Sequence, residues 1–268
     1  MPDIVLTEIL IYLVTGAFVG FAAGLLGIGG GLIIVPVLTY VLGQYIGLSE
    51  HVVHMAIGTS LATILVTSLS SVRAHHALEA VRWDIIKLLV AGVLMGAFIG
   101  GWGSQFFESR TLGLIFGVLE LFIAINMLLA LKPSPHRELP SLPGNTVAGS
   151  IIGSLSSLVG IGGGTLTTPY LVWNNITMHQ AIATSAAVSL PVAFAGTIGF
   201  LIAGLSAENL PAYATGYIYW PAFFGIVIAS VLTAPLGAKT AQKVPIKLLK
   251  RVFGVFLLML AAKMLLFS

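Results

Sequence analysis

Leu25-Leu-Gly-Ile-Gly-Gly-Gly31, with Pro36 five residues on, recurs as Leu158-Val-Gly-Ile-Gly-Gly-Gly164, with Pro169 five residues on. Outward from these runs the match continues. Gly16 and Gly20 precede the first copy and Gly149 and Gly153 the second, at one constant offset of 133 residues. Downstream, Ala56-Ile-Gly-Thr-Ser60 matches Ala181-Ile-Ala-Thr-Ser185, Trp83 matches Trp220 and Gly100 matches Gly237. Phe116-Gly117 and Met127-Leu128 then match Phe253-Gly254 and Met264-Leu265. One order kept over so long a stretch reads as a duplication, with residues 1–138 and 139–268 as the two units. The junction is the polar, proline-rich stretch from Lys132 to Gly144.

Composition names the solvent. The chain has 268 residues with 12 basic and 9 acidic side chains, 57% apolar residues and a mean hydropathy of +1.05. A soluble domain carries about 25% charged residues, and 8% cannot cover a water-facing surface. No charge occurs between Glu8 and Glu50 or between Glu50 and Arg73, and Glu208 stands alone between Glu138 and Lys239. A bilayer crossing needs about 20 apolar residues, so the chain crosses repeatedly and lipid is its first partner. A pI near 9.2 would suit nucleic acid, but the basic residues are scattered through short loops and read as topology signals, so no nucleic-acid partner is expected. The absence of cysteine excludes disulfides, thiolate metal sites and thiol nucleophiles. The first residues carry Asp3 and Glu8 where a secretory signal is basic, so no cleaved leader is expected.

The expected fold is an all-α polytopic membrane protein. Each half reads as a glycine-broken segment plus three transmembrane helices, over 9–42, 53–73, 84–104 and 110–131, then 145–174, 180–204, 213–238 and 249–267. The basic residues decide whether the broken segment crosses or folds back. If it folds back, each half has three crossings and the halves are inverted. Arg73, Arg82, Lys87, Lys132, Arg137, Lys239, Lys243, Lys247, Lys250 and Arg251 then share one side, with Arg110 opposite and Lys263 in the last helix. If it crosses once, Lys239 to Arg251 lie opposite the first five. The positive-inside rule favours folding back, a multi-pass placement in the cytoplasmic membrane and two external termini. Inverted halves are a recurring transporter design.

Three consecutive glycines cost about 1 kcal/mol each in a helix interior, and in hydrocarbon such a break survives only where protein or a water-filled cavity satisfies the backbone. Two breaks at equivalent positions therefore point to a central binding site. Chain that unwinds and restarts as a helix presents free N–H groups at a positive end, which suits an anion. The candidate cradle is Gly27, Gly29, Gly30 and Gly31 with Gly160, Gly162, Gly163 and Gly164. The competing reading is close helix packing, which fits Gly16/Gly20 and Gly149/Gly153 better. A dinucleotide fingerprint fails, because Leu32 and Thr165 occupy its third glycine position.

The doubled pattern of G-x-x-x-G, L-x-G-I-G-G-G and proline resembles the TauE/SafE family of sulfite and organosulfonate exporters, and the resemblance covers nearly the whole chain. It implies a secondary transporter of small sulfur-containing anions, such as sulfite, thiosulfate or an organosulfonate, exporting by alternating access at the broken helices. The family spans several such anions, so the resemblance does not choose among them. It implies a small anionic substrate and no cofactor, and a homo-oligomer stays open.

Other polar residues interrupt the apolar stretches. Thr59-Ser60 and Thr184-Ser185 could complete an anion site with hydroxyl donors, or cap the backbone. Thr165, Thr167 and Thr168 add donors after the second glycine run, where the first copy has Leu32, Ile33 and Ile34. Glu120, the one acid in mid-helix, is a coupling candidate or a structural hydrogen-bonder, and its repeat counterpart is Leu257. Arg73 and His76, with His75, form a basic vestibule or mark the interface. His51 and His54 lack further ligands for a metal site. Lys263 snorkels, and Trp83, Trp102, Trp173 and Trp220 suit an interfacial belt.

An enzyme would need a nucleophile with its base, a carboxylate pair or a metal cluster at membrane depth, and no such set is present. No nucleotide-binding P-loop occurs. An anion channel of the cytoplasmic membrane remains the alternative to a carrier. Reporter fusions at residues 137 and 245 are both expected to report the cytoplasm, and opposite signals would refute the inverted topology.

Overall fold

A computed structural model of the chain describes residues 2–26, 30–44, 46–47, 50–77, 79–129, 139–241 and 246–267. In lipid the backbone must satisfy itself, and the described residues do so as helices. They are α1 (Pro2–Leu26), α2 (Gly31–Gln44), α3 (Val52–Ala77), α4 (Trp83–Gly103), α5 (Ser109–Leu129), α6 (Leu142–Val159), α7 (Gly164–Trp173), α8 (Met178–Ala203), α9 (Trp220–Ala241) and α10 (Ile246–Phe267). Among the described residues, six stretches are long and apolar enough to cross a membrane: Thr7–Leu25, Val52–Ala77, Trp83–Phe106, Ser109–Leu129, Met178–Ala203 and Trp220–Gly237.

One element departs from the all-helical expectation. Ala214–Thr215 (β1) and Ile218–Tyr219 (β2) pair antiparallel, with Gly216 at φ +53° in the turn. The helix expected from 213 therefore starts at Trp220. Its lead-in is drawn off by a tertiary contact, because the Tyr219 N–H donates to the Thr59 hydroxyl at 2.9 Å.

The broken segments turn back on themselves. Gly30 lies against Val19, in the second half of α1, and Gly31 lies against Ile64, in the middle of α3. α2 then runs outward to Gln44, which shares a cavity with Val52 and Ser109, the first residues of α3 and α5. Tyr12, near the middle of α1, meets Tyr219 edge to face at 6.4 Å between ring centroids. In the second segment, the Tyr170 hydroxyl near the end of α7 donates to Asn145 near the start of α6, at 2.8 Å.

Glycines set how closely the long helices approach. α1 packs along α9 with Gly16 on the Ile226 carbonyl, Gly20 on the Ser230 carbonyl and Gly237 on the Phe21 carbonyl. α6 packs along α4 with Gly149 on the Leu89 carbonyl, Gly153 on the Val93 carbonyl and Gly100 on the Ser154 carbonyl. These are the packing glycines of the sequence pattern, and each sits on main chain, which cannot yield as a side chain can. α3 crosses α8, and α5 pairs with α10. The interior is apolar, with Leu38, Met55, Ile57, Leu61, Phe116 and Phe200 fully enclosed.

Adding one methyl group at Gly153 should wedge α4 from α6. Gly153→Ala is expected to cost about 1–3 kcal/mol, read as a lower melting midpoint of the purified protein in detergent. Gly103→Ala, where a new Cβ meets nothing within 4 Å, should leave the midpoint in place.

Candidate functional site

The two glycine breaks meet. A Cβ at Gly31 would fall on the Gly160 carbonyl and 3.1 Å from Ile161 Cα. Locally the breaks share one geometry. Gly30 and Gly163 are both left-handed, at φ +75° and +59°, a region that suits glycine because it has no Cβ to clash. The Gly30 carbonyl accepts from the amides of Ile33 and Ile34, and the Gly163 carbonyl accepts from those of Leu166 and Thr167. Each glycine thus starts the helix that follows. Each of those helices contains a proline, Pro36 in α2 and Pro169 in α7, which removes one further N–H from the ladder. Gly27 and Gly29 lie outside the described residues.

Hydroxyls complete the second break and are scarcer at the first. Ser60 donates to the Gly160 carbonyl at 2.9 Å, so a residue of the first half holds the break of the second. Ser189 donates to the Gly162 carbonyl. Thr168 and Ser185 share a hydrogen bond of 2.8 Å. The Oγ atoms of Ser156, Thr165 and Thr167 are buried without a partner among the described residues. At equivalent positions the first half has Ala23, Leu32 and Ile34, with Ile64 in place of Ser189. Apolar side chains close the remaining space: a Cβ at Gly160 would lie 3.0 Å from Val35 and one at Gly163 2.9 Å from Val192.

Thr59 and Thr184 are engaged elsewhere. Thr59 accepts from Tyr219 N–H, and Thr184 accepts from Arg82 N–H at 3.0 Å. Both donors immediately precede a tryptophan that opens a helix, Trp220 of α9 and Trp83 of α4. The matched threonines therefore pin helix entries. Sequence reasoning missed Ser189 and Ser156, because comparing the halves draws attention to residues that match and these do not.

Glu120 lies on the buried face of α5 with Leu112, Phe116 and Ala124, and neither of its carboxyl oxygens has a partner among the described residues. At the opposite end from Gln44, Arg73 and His76 are exposed, and Trp83 donates to His76 at 3.2 Å. His75 is within electrostatic range of His179 on α8, which adds a further histidine to that end. Arg82 chelates Asp84 at 2.9 and 2.7 Å in an exposed pair, and such a pair adds little stability. His54 is buried and bridges Ser109 and the Ser104 carbonyl at 3.2 and 3.1 Å, a structural arrangement. Among the described residues no group of three or more His, Asp or Glu could hold a metal.

The model of the family described as Sulfite exporter TauE/SafE matches residues 12–264. Among curated proteins, a probable membrane transporter protein of Haemophilus influenzae is 37% identical, over 96% of this chain and 98% of its own length. One of Methanocaldococcus jannaschii is 29% identical over 92% and 94%, and the Bacillus subtilis protein YunE is 25% identical over 95% and 96%. No solved structure matches. The family and these relatives are membrane transporters and not enzymes, in keeping with a chain of several apolar helices long enough to cross a membrane: the chain belongs to the sulfite exporter TauE/SafE family of membrane transporters.

Proposed function

We propose that the protein is a secondary carrier of small sulfur-containing oxyanions, exporting them by alternating access around the paired glycine breaks. The observation that carries this is the meeting of Gly31 with Gly160, with hydroxyls nearby in the chain that have no partner among the described residues. An anion between the breaks would take hydrogen bonds from Thr165, Thr167 and Ser156, with the restarted helices α2 and α7 adding positive backbone ends. Neutral donors suit turnover, since a buried guanidinium would hold the anion too tightly to release it. The Gly30, Gly31, Gly160, Gly162, Gly163 and Gly164 backbone shapes this cradle, with Ser60 and Ser185 as its supports.

The two units, 1–138 and 139–268, act on this reading as inverted copies. The exchange of partners supports it: α1 of the first unit packs on α9 of the second, and α6 of the second on α4 of the first. Thr59 and Thr184 make the same bond to opposite units. The end bearing Arg73, His76 and Arg82 is then cytoplasmic by its positive charge, and it attracts anions for export. The packing of Val35, Ile57, Ile64 and Val192 around the glycines favours a closed carrier state over a continuous pore.

Glu120 is assigned the coupling proton. Its carboxyl group is buried on the inner face of α5 with no hydrogen-bond partner among the described residues, and a carboxylate at membrane depth is a functional hypothesis by default.

In proteoliposomes, saturable sulfite flux with counterflow of labelled substrate is expected. Thr165→Val combined with Thr167→Val should raise the half-saturating concentration at least tenfold, corresponding to about 1.4 kcal/mol. Linear, non-saturating flux without counterflow would point to a channel instead. Glu120→Gln should abolish transport driven by an imposed proton gradient while leaving counterflow in place, and unchanged proton-driven flux would return Glu120 to a structural role.

A further inference from the structure

A mostly apolar cavity of about 410 Å³, with a few polar groups in its wall, lies at the end of the bundle opposite Arg73 and His76. It opens where α2 ends, α3 and α5 begin and α10 finishes. Pro36, Val52, Val53 and Met264 give it apolar walls, and Thr39, Gln44, Ser109, Arg110 and Lys263 supply the polar groups. Its charge is one-sided. Among the described residues, neither Arg110 nor Lys263 has a carboxylate within ion-pairing distance, the one ion pair being Arg82 with Asp84. Lys263 does not simply reach for the interface: its ammonium sits 3.8 Å from the centre of the Tyr40 ring. That contact holds the charge over the cavity wall, a cation–π arrangement that keeps its positive field available. The Thr39 hydroxyl is buried there without a partner.

Helix ends do not decide the sign of this site. The amide ends of α3 and α5 reach it, but so do the carbonyl ends of α2 and α10, and these contributions oppose one another. The two side-chain cations decide it. Two uncompensated cations beside an apolar wall, in a pocket with hydroxyl and amide donors, match one small oxyanion with several acceptor oxygens. An arginine can grip two of those oxygens through its planar fork, and the lysine adds a point charge.

We infer that this cavity is a separate binding site for a small inorganic oxyanion, held between Arg110 and Lys263 with Thr39 and Gln44 as further donors. The inference does not rest on the glycine cradle. The two sites lie on different residues and at different depths, and only this one uses full charges. On an export cycle it would hold the anion after it leaves the centre. A charge-based site is also weakened by salt, whereas a hydroxyl cradle is screened little.

The test is binding of radiolabelled sulfate to purified full-length protein in detergent at low ionic strength. Arg110→Gln with Lys263→Gln should weaken binding at least tenfold, Arg110→Lys should weaken it less, and Thr165→Val with Thr167→Val should leave this component unchanged. Both cations are exposed, so folding should survive the change. A readout on the unaltered protein stands beside it: sulfate, but not chloride at equal ionic strength, should protect Lys263 from an amine-reactive reagent in peptide mapping. Unchanged sulfate binding in the double variant, or labelling of Lys263 indifferent to sulfate, overturns the proposal. So does a site that retains phosphatidylglycerol through purification yet ignores sulfate, since it would then serve a lipid headgroup. If the central cradle alone is wrong, the threonine variants will transport normally while the effects at Arg110 and Lys263 persist.

Discussion

A polypeptide that breaks its helix inside a membrane must find partners for the freed backbone, and here that requirement governs the centre of the molecule. At Gly30 and Gly163 the chain turns left-handed, and the carbonyl of each glycine accepts from the amides of the next helix. At Gly160 and Gly162 the carbonyls accept hydrogen bonds from Ser60 and Ser189. The two hydroxyl bonds come from α3 and α8, so the second break is satisfied by helices other than its own. An unmet buried carbonyl or amide costs about 1–3 kcal/mol, enough to make isolated breaks untenable and paired, buttressed ones stable.

The same constraint explains the close-packed flanks. A break can be buttressed only if the neighbouring helices hold their distance, and in lipid no hydrophobic force draws helices together. Glycines at Gly16, Gly20, Gly149 and Gly153 meet that need by bringing main chain onto main chain. Because α1 packs on α9 and α6 on α4, each broken segment is clamped by a helix from the other half of the chain. Motion of one half would then be felt directly at the opposite break.

Much of this was legible in the sequence because lipid imposes simple rules. Charge-free runs marked the crossings, three adjacent glycines marked each break, and the ends of most helices fell within a few residues of expectation. What could not be read was tertiary. Nothing local to Ala214–Tyr219 says that its backbone will pair as a hairpin, since the deciding bond comes from Thr59, far away in the chain. Thr59 and Thr184 look like donors at a helix start and turn out to be acceptors for helices they do not belong to. Matching the halves found Ser60 and Ser185, which they share, and set Thr167 against Ile34, but it passed over Ser156 and Ser189. Ser156, whose hydroxyl has no partner among the described residues, and Ser189, which supports the Gly162 carbonyl, have no polar counterpart in the first half.

That asymmetry bears on the chemistry. Buried hydroxyls without partners are uncommon because each carries a desolvation cost, and three lie in one unit within a dozen residues of one another. The first unit has Ala23, Leu32 and Ile34 at the equivalent positions. Polar groups here make physical sense if something outside the protein periodically satisfies them, either water or an anion. On the proposed reading an anion would draw on these donors and would sit against the apolar wall that the first unit supplies. A carrier of this kind would therefore divide the work between its halves, one supplying hydrogen bonds and the other a shaped, water-excluding surface. The shared glycine geometry would let the two move against each other without exposing bare backbone to lipid.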